Sequence, residues 1–290
     1  MRIWQAHTGP TRCLAISPDG QWIASGGDDQ LIGLWGRDGS RLRWLTGHTD
    51  WIRSVAFGPT HERLASASWD DTVRVWHPGA NRVLAFLDRH VGGAWSVAYA
   101  PDGSQLLTGA GDGTVRLGFM ADIERQHPIH RIHHGPVSTV DFSPDGQLMA
   151  TGSHDRCVRL FTSLGKPLLL LRPHSDWVRA VRFSPDGRYL ASGSDDGLVV
   201  VSELPSGTPV LRLVGHQAPV TGVAFVPGGE QVVSVGWDGT ARLWCLQSGR
   251  LLAAHAWQRG RLLSLAVAPD GMTAAAGAAD GAIVVWDLDL

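Results

Sequence analysis

Cysteine is scarce in this sequence of 290 residues, which contains three: Cys13, Cys157 and Cys245. They lie far apart and form no C-x-x-C pair, so the sequence indicates neither a disulfide framework nor a cysteine-ligated metal site. We therefore expect reduced thiols and a cytoplasmic protein. No apolar run approaches the roughly 20 residues of a membrane helix. Met1–Gln5 leads straight into the first repeated unit without a signal peptide, and we expect no membrane association.

Lysine is almost absent as well, because Lys166 is the only one and arginine provides the other long basic side chains. This usage favours a GC-rich, bacterial genome. The net charge is −2 and the sequence pI is about 6.7. The protein therefore lacks the global positive field that attracts nucleic acids or anionic membranes, and nucleic acid is not an expected partner.

Catalytic motifs are missing too. A phosphate-binding loop needs Gly-Lys followed by Ser or Thr, whereas the only lysine stands in Gly165-Lys166-Pro167. The sequence contains neither a G-x-S-x-G nor an H-E-x-x-H motif. We predict that the protein is not an enzyme and needs no cofactor.

The sequence does contain one unit of about 42 residues, repeated seven times in a fixed register. Each unit opens with a His, or a Gln in the last copy, at His7, His48, His90, His133, His174, His216 and Gln258. A proline follows 11 positions later, at Pro18, Pro59, Pro101, Pro144, Pro185, Pro227 and Pro269. An aspartate follows 22 positions after the opening residue, at Asp29, Asp70, Asp112, Asp155, Asp196, Asp238 and Asp280. A constant period of this length, with four short strands per unit, indicates the blades of a propeller.

The G-H pair, the S-P-D-G turn and the closing Trp of these units resemble the WD-repeat family over essentially the whole chain. The closing Trp is present at Trp35, Trp76, Trp244 and Trp286, whereas Gly118, Phe161 and Ser202 depart from the pattern. The resemblance implies an all-β, seven-bladed β-propeller with four-stranded blades, forming one domain over residues 1–290. Met1–Gln5 aligns with the fourth strands, and the chain ends after a third strand at Trp286. We therefore expect the two ends to share the last blade and close the ring.

The resemblance also implies that the opening His, a Ser or Thr, the Asp and the closing Trp form a buried hydrogen-bonded set. The set is complete at His7–Ser25–Asp29–Trp35, His48–Ser66–Asp70–Trp76 and His216–Ser234–Asp238–Trp244. His and Asp also occur in catalytic triads, but a pair that recurs in most copies is a structural feature rather than one active site. The seventh copy, with Gln258 and Ala276, retains Asp280 and Trp286, and we expect its blade to be the least rigid.

A histidine-rich run, H-P-I-H-R-I-H-H, raises the question of a metal site. His133 already opens a repeat, Pro128 interrupts the run, and His130 and His133 would face opposite sides of a regular strand. We predict a strand and its approach at His127–His134 and no metal.

Three positions per copy lie on the top face of the ring in this family: the third and fifth residues after the opening His and the residue before the Asp. The candidate partner-binding residues at these positions are Arg12, Asp28, Trp51, Arg53, Trp69, Trp95, His154, Trp177, Arg179, Asp195, Trp237 and Arg261. Five tryptophans fall there although the blade pattern does not need them. Trp and Arg dominate binding hot spots, although some of these rings would serve equally well to cover the channel mouth.

We predict a non-catalytic scaffold that docks a protein or peptide on this face. Trp51, Arg53, Trp69 and Trp95 come from adjacent copies and are expected to form one patch, with further candidates across or beside it. A Trp–Arg patch suits an acidic or aromatic peptide, because the guanidinium forms a planar fork for carboxylates. The alternatives are single-stranded nucleic acid stacked on these rings, or a small ligand at the channel mouth. We expect a monomeric ring that acts alone or as the sensor or regulatory module of a larger bacterial signalling protein.

Overall fold

The structure is a computed structural model that describes residues 1–87 and 90–288, with the backbone alone described for 122–131. The described chain contains 28 strands and one short 3-10 turn, Pro78–Ala80. The strands form seven antiparallel sheets of four strands each. The prediction of an all-β protein built from seven four-stranded blades is confirmed.

The first strand, β1 (Arg2–Gln5), precedes the first complete blade. Blade 1 contains β2 (Thr11–Ile16), β3 (Trp22–Gly27), β4 (Ile32–Gly36) and β5 (Arg41–Leu45). Blade 2 contains β6 (Ile52–Phe57), β7 (Leu64–Ser68), β8 (Val73–His77) and β9 (Arg82–Leu87). Blade 3 contains β10 (Ala94–Tyr99), β11 (Gln105–Ala110), β12 (Thr114–Phe119) and β13 (Asp122–Arg131).

The remaining blades repeat the same order. Blade 4 contains β14 (Val137–Phe142), β15 (Leu148–Ser153), β16 (Val158–Thr162) and β17 (Pro167–Leu171). Blade 5 contains β18 (Val178–Phe183), β19 (Tyr189–Ser194), β20 (Leu198–Glu203) and β21 (Thr208–Val214). Blade 6 contains β22 (Val220–Phe225), β23 (Gln231–Gly236), β24 (Thr240–Cys245) and β25 (Leu251–Ala256). Blade 7 contains β26 (Leu262–Val267), β27 (Thr273–Ala278) and β28 (Ala282–Asp287), with β1 as its fourth strand.

The S-P-D-G segments form the tight turns between the first and second strands. In blade 1 the Ser17 hydroxyl donates to Asp19 Oδ1 at 2.5 Å, and Asp19 Oδ1 also accepts from the Gln21 backbone N–H at 3.1 Å. Gly20 completes the turn at φ 69°, a left-handed conformation that glycine adopts without a steric penalty. The proline presets φ at the second turn position, so residue type and geometry agree.

The blades pack side by side into a closed ring. The inner strands β2, β6, β10, β14, β18, β22 and β26 each contact the next, and β26 contacts β2. The core lies between adjacent blades; in one cluster Ile32 of blade 1 packs with Ile52 and Trp76 of blade 2. A channel of about 520 Å³, lined by the inner strands, runs through the middle.

The N-terminal strand completes the last blade, as predicted. β1 pairs antiparallel with β28, from Arg2 opposite Val285 to Gln5 opposite Ala282. Ile3 and Trp4 pack against the cores on either side of blade 7. The ring therefore closes by hydrogen bonding between the two ends of the sequence, which leaves no open edge on β28.

Deletion of Met1–Gln5 should lower the melting temperature by several degrees. The deletion removes the partner of β28 and the buried surface of Ile3 and Trp4, and about 1 kcal/mol corresponds to about 2–4 °C in a domain of this size. Differential scanning calorimetry of the parent and the truncated chain measures the difference. Superimposable melting curves would show that β1 does not contribute to ring closure.

Candidate functional site

Buried His–Asp sets fix the loops that carry the candidate site. In blade 2, Trp76 Nε1 donates to Ser66 Oγ at 2.8 Å, and Ser66 Oγ is 2.6 Å from His48 Nε2. The serine proton is then available for Nε2, so His48 Nδ1 donates to Asp70 Oδ2 at 2.7 Å. Burial lowers the pKa of His48, in agreement with a neutral ring. The same contacts occur at His7–Ser25–Asp29–Trp35 and His216–Ser234–Asp238–Trp244.

The other blades keep different parts of this set. Blades 4 and 5 retain the His, hydroxyl and Asp contacts without a closing Trp, at His133–Thr151–Asp155 and His174–Ser192–Asp196. In blade 3, His90 Nε2 contacts Thr108 Oγ1 at 2.8 Å, while its buried Nδ1 has no hydrogen-bond partner among the described residues. In blade 7, Asp280 accepts from the Ala282 N–H at 3.0 Å.

Asp70→Ala should destabilise the fold by about 1–3 kcal/mol, because it removes the 2.7 Å acceptor of the buried His48 Nδ1–H and leaves only Thr72 Oγ1 at 3.3 Å. Asp280→Ala is the matched control, since that carboxylate is 37% exposed compared with 5% for Asp70. We expect it to cost about 0.5 kcal/mol. Denaturant titration measures both, and equal losses would mean that blade 7 replaces the set by other contacts.

A β-bulge at the upper end of each inner strand directs one side chain to the channel mouth. The register with the second strand shifts there by one residue in every blade. The bulged residues are Arg12, Arg53, Trp95, Ser138, Arg179, Thr221 and Leu263. A bulge bends its strand and re-aims the extra residue. All seven side chains line the channel.

Five aromatic side chains from blades 2 to 5 form a continuous series, the aromatic arc, on the top face: Trp51, Trp69, Trp95, His154 and Trp177. Trp51 stacks on Trp69 with ring centroids 4.6 Å apart, and Trp69 lies 6.1 Å from Trp95. His154 meets Trp95 edge-on at 5.1 Å and stacks on Trp177 at 4.0 Å with an interplanar angle of 5°. The structure thus places five of the twelve predicted residues in one surface, and His154 links its two halves.

Two arginines lie against the first half of the arc. The Arg12 guanidinium is 4.9 Å from the Trp51 ring centroid. The Arg53 guanidinium lies 5.7 Å from the Trp69 ring and 4.7 Å from the Trp95 ring. Such contacts hold a cation by the ring quadrupole and restrict its motion.

The second half of the arc continues through arginine to blades 6 and 7. Arg179 lies 5.3 Å from the Trp177 ring and 5.0 Å from the Trp237 ring. Arg261 lies 4.5 Å from the same Trp237 ring. All the predicted partner-binding residues therefore lie around one mouth. Trp69 and Trp177 are the most exposed of its tryptophans, at 37% and 42%.

The guanidinium forks of two top-face arginines are occupied by aspartates of the protein itself. Arg12 donates from Nε and Nη2 to Asp28 at 2.5 and 2.7 Å, and Arg179 does the same to Asp195 at the same distances. In both blades the residue 16 positions after the arginine, directly before the repeat Asp, is itself an aspartate. Its carboxylate occupies the fork of the arginine within the same blade. Arg53 has no carboxylate partner among the described residues, and Trp69 stands at the corresponding position.

The arginines raise the positive potential at the channel mouth. Burial lowers the pKa of Arg53 to about 10, and the charges of Arg12 and Arg179 add to the shift. Burial also lowers the pKa of His154 to about 4, with Arg179 and Arg53 acting in the same direction and Asp176 opposing them. His154 is therefore neutral at pH 7, and its buried Nε2 has no hydrogen-bond partner among the described residues.

His154→Phe should flatten the dependence of stability on pH between 6.5 and 4. The unfolded chain binds a proton at His154 below about pH 6.5, whereas the folded chain resists it down to about pH 4. The free energy of unfolding therefore falls as the pH falls through this window. Phenylalanine retains a ring against Trp177 and takes no proton. Urea titrations at pH 7, 5.5 and 4 measure the difference, and parallel curves for parent and variant would contradict the pKa shift.

Two ionisable residues that line the channel were not among the predicted site residues. Asp141 and Arg182 lie on the adjacent inner strands β14 and β18 and line the channel. Burial raises the pKa of Asp141, although its Oδ2 accepts the Phe183 N–H at 2.9 Å. A signal was present, because the five other copies have alanine at this position: Ala15, Ala56, Ala98, Ala224 and Ala266.

Of the four histidines in the histidine-rich run, the structure describes the side chains of His133 and His134. His133 is occupied by Asp155 and Thr151, and the His134 backbone N–H donates to Asp155. The side chains of His127 and His130 lie outside the described residues. Within the described part of the chain, no three His, Cys, Asp or Glu side chains lie close enough together to hold a metal ion.

Seven antiparallel four-stranded blades around a channel, five of them with a described His–Asp hydrogen bond, define a repeat-type β-propeller. The sequence matches the family described as "WD domain, G-beta repeat" over residues 1–36, 39–77, 81–117, 126–162, 165–201, 207–245 and 247–287. The chain belongs to the WD-repeat family. No helix among the described residues is long and apolar enough to cross a membrane.

Individual relatives are similar over short segments. An uncharacterized WD repeat-containing protein of Synechocystis sp. is 43% identical over 98 residues, which cover 33% of this chain and 28% of the relative. A periodic tryptophan protein 2 homolog of Dictyostelium discoideum is 34% identical over 36% of this chain and 12% of its own length. A protein transport protein SEC13 of Phaeosphaeria nodorum is 37% identical over 33% of this chain and 34% of its own. The matches thus span about a third or less of these relatives.

Proposed function

We propose that the top face of this propeller docks a protein or peptide segment without catalysing a reaction. The observation that carries the proposal is the aromatic arc, which extends over four consecutive blades and exposes Trp69 and Trp177. WD-repeat propellers are in general non-catalytic scaffolds that bind protein partners. Large, rigid aromatic surfaces bordered by arginine are typical of binding hot spots.

The arc suits an extended peptide better than a single-stranded nucleic acid. Trp51 already stacks on Trp69, and His154 on Trp177, so the inner ring faces are occupied by protein. The net charge of −2 gives no general attraction for phosphates. A peptide needs only the outer faces and edges of the rings.

A small molecule in the channel is the second candidate. The channel volume of about 520 Å³ falls within the roughly 300–1,000 Å³ of ligand pockets. Such a ligand would contact the bulged residues at the mouth and would compete with a peptide there.

Trp51→Ala and Arg53→Ala should each weaken a bound peptide by about 2 kcal/mol or more, which is about 30-fold in Kd. The peptides come from a random display library selected on the immobilised protein, and calorimetry gives the affinities. Trp22→Ala and Arg63→Ala are matched controls at the opposite end of the strands, where the Trp22 ring lies 5.2 Å from the His61 ring.

Neither top-face change should shift the melting temperature by more than a few degrees, because both residues lie outside the His–Asp sets. Selected peptides that bind all four variants as tightly as the parent would place the docking surface elsewhere. Loss of binding in the Trp22 variant alone would place it on the bottom face.

We further propose that the ring acts as a cytoplasmic monomer, alone or as the sensor or regulatory module of a larger bacterial signalling protein. The similarity to a cyanobacterial WD-repeat protein supports the bacterial setting. Three free cysteines, two of them buried, are consistent with a reducing compartment. Light scattering of the purified chain tests the monomer, and a dimer mass would overturn it.

A further inference from the structure

One of the arginines at the channel mouth differs from its counterparts in the other blades. Blades 1, 2 and 5 each place an arginine at the bulge. In blades 1 and 5 an aspartate 16 positions later takes both ends of the guanidinium fork. In blade 2 that position holds Trp69, so Arg53 has aromatic rings on its faces and no carboxylate among the described residues.

Of the four arginines at the mouth, two are paired with carboxylates, whereas Arg53 and Arg261 have no carboxylate partner among the described residues. Arg12 and Arg179 are neutralised by Asp28 and Asp195, and a neutral His154 adds nothing. Arg53 is half-buried between two rings, whereas Arg261 is exposed to solvent at the start of blade 7. Arginine stays protonated under ordinary conditions, and a half-buried guanidinium without an anion costs solvation energy that a bound anion recovers.

Two other ring nitrogens at the mouth are unpaired as well: Trp237 Nε1 is a donor, and the role of His154 Nε2 depends on the tautomer of the neutral ring. The buried Nε2 of His154 and the buried Nε1 of Trp237 have no hydrogen-bond partner among the described residues. Trp237 lies beside Arg179, and both line the channel with Arg53. Buried polar groups normally have partners. His154 and Arg53 both contact Trp95, so an unpaired ring nitrogen and a cation without a carboxylate lie in one part of the mouth, where a polar ligand group can pair with them.

We propose that Arg53, held between Trp69 and Trp95, is a subsite for a carboxylate of the docked peptide, from an acidic side chain or the chain terminus. The proposal rests on the docking function above and assigns its chemistry. The guanidinium fork can donate two parallel N–H···O bonds to a carboxylate, as Arg12 does to Asp28. The ligand carboxylate thus replaces the aspartate that blade 2 lacks.

A carboxylate matches the site better than a phosphate. A carboxylate carries one negative charge, which matches the one guanidinium of Arg53, whereas a phosphate monoester carries between about −1.5 and −2 at neutral pH. Asp28 and Asp195 border the same mouth and would repel the additional charge.

The first test uses acetate alone, so that it does not depend on peptide docking. Arginine Nε–Hε resonances of the ¹⁵N-labelled protein are followed by NMR while sodium acetate replaces sodium chloride at constant ionic strength. The Arg53 signal should shift saturably, while those of the paired Arg12 and Arg179 change little. A linear drift of Arg53 equal to that of the exposed Arg63 would overturn the proposal.

The second test builds the missing aspartate. Trp69→Asp places a carboxylate where blades 1 and 5 have one, and it should abolish the saturable shift by occupying Arg53 internally. Trp69→Asn is the control, because it removes the same ring without adding a charge. It should bind acetate at least about tenfold more tightly than Trp69→Asp, and this ratio corresponds to the free energy of about one charge-assisted hydrogen bond. Equal affinity in the two variants would overturn the inference.

The third test separates the anions and the two levels of the proposal. If methyl phosphate binds tenfold more tightly than acetate, the subsite is one for a phosphate and the carboxylate assignment is contradicted. If the selected peptides depend on Trp51 but bind equally well after Arg53→Met, the docking surface is supported and the anion subsite is contradicted. If acetate shifts the Arg53 signal saturably but no peptide can be selected, the anion subsite is supported and the docking function is contradicted.

Discussion

The hydrogen bond between the opening histidine and the repeat aspartate is the interaction on which the rest of the structure depends. In blade 2, Asp70 accepts from His48 Nδ1 and also from the Thr49 N–H and the Thr72 N–H. One buried carboxylate thus ties the loop that enters the blade to the turn between its second and third strands. Trp51 follows that loop and Trp69 precedes the aspartate, so the same carboxylate fixes both ends of the stacked pair.

The fold was predictable from the sequence because a fixed period leaves few solutions. Seven copies of a four-strand unit cannot bury both faces of a blade except against neighbouring copies. The leftover strand at Met1–Gln5 could then pair only where a fourth strand was missing, beside Ala282–Asp287. These inferences need only the order and spacing of residues within one repeat. They required no knowledge of side-chain conformations.

The composition of the candidate site was predictable, but its internal contacts were not. The repeat register gave the position of each top-face residue, including His154. The bidentate pair of Arg179 and Asp195 and the stack of His154 on Trp177 depend on rotamers and on the distance between adjacent blades. Arginine therefore looked equally available in blades 1, 2 and 5. Comparing the residue 16 positions later would have distinguished Arg53 from the sequence alone.

Stability and recognition occupy different positions of the same repeat, which allows one to vary without the other. Blades 3, 4 and 5 lack the closing tryptophan, yet they supply Trp95, His154 and Trp177 to the aromatic arc. The bulge places its side chain at the mouth in every blade, whatever that residue is. Changes at distant, independent sites are approximately additive in free energy. A ring of similar blades can therefore present three bulge arginines of which one, Arg53, has no carboxylate partner among the described residues.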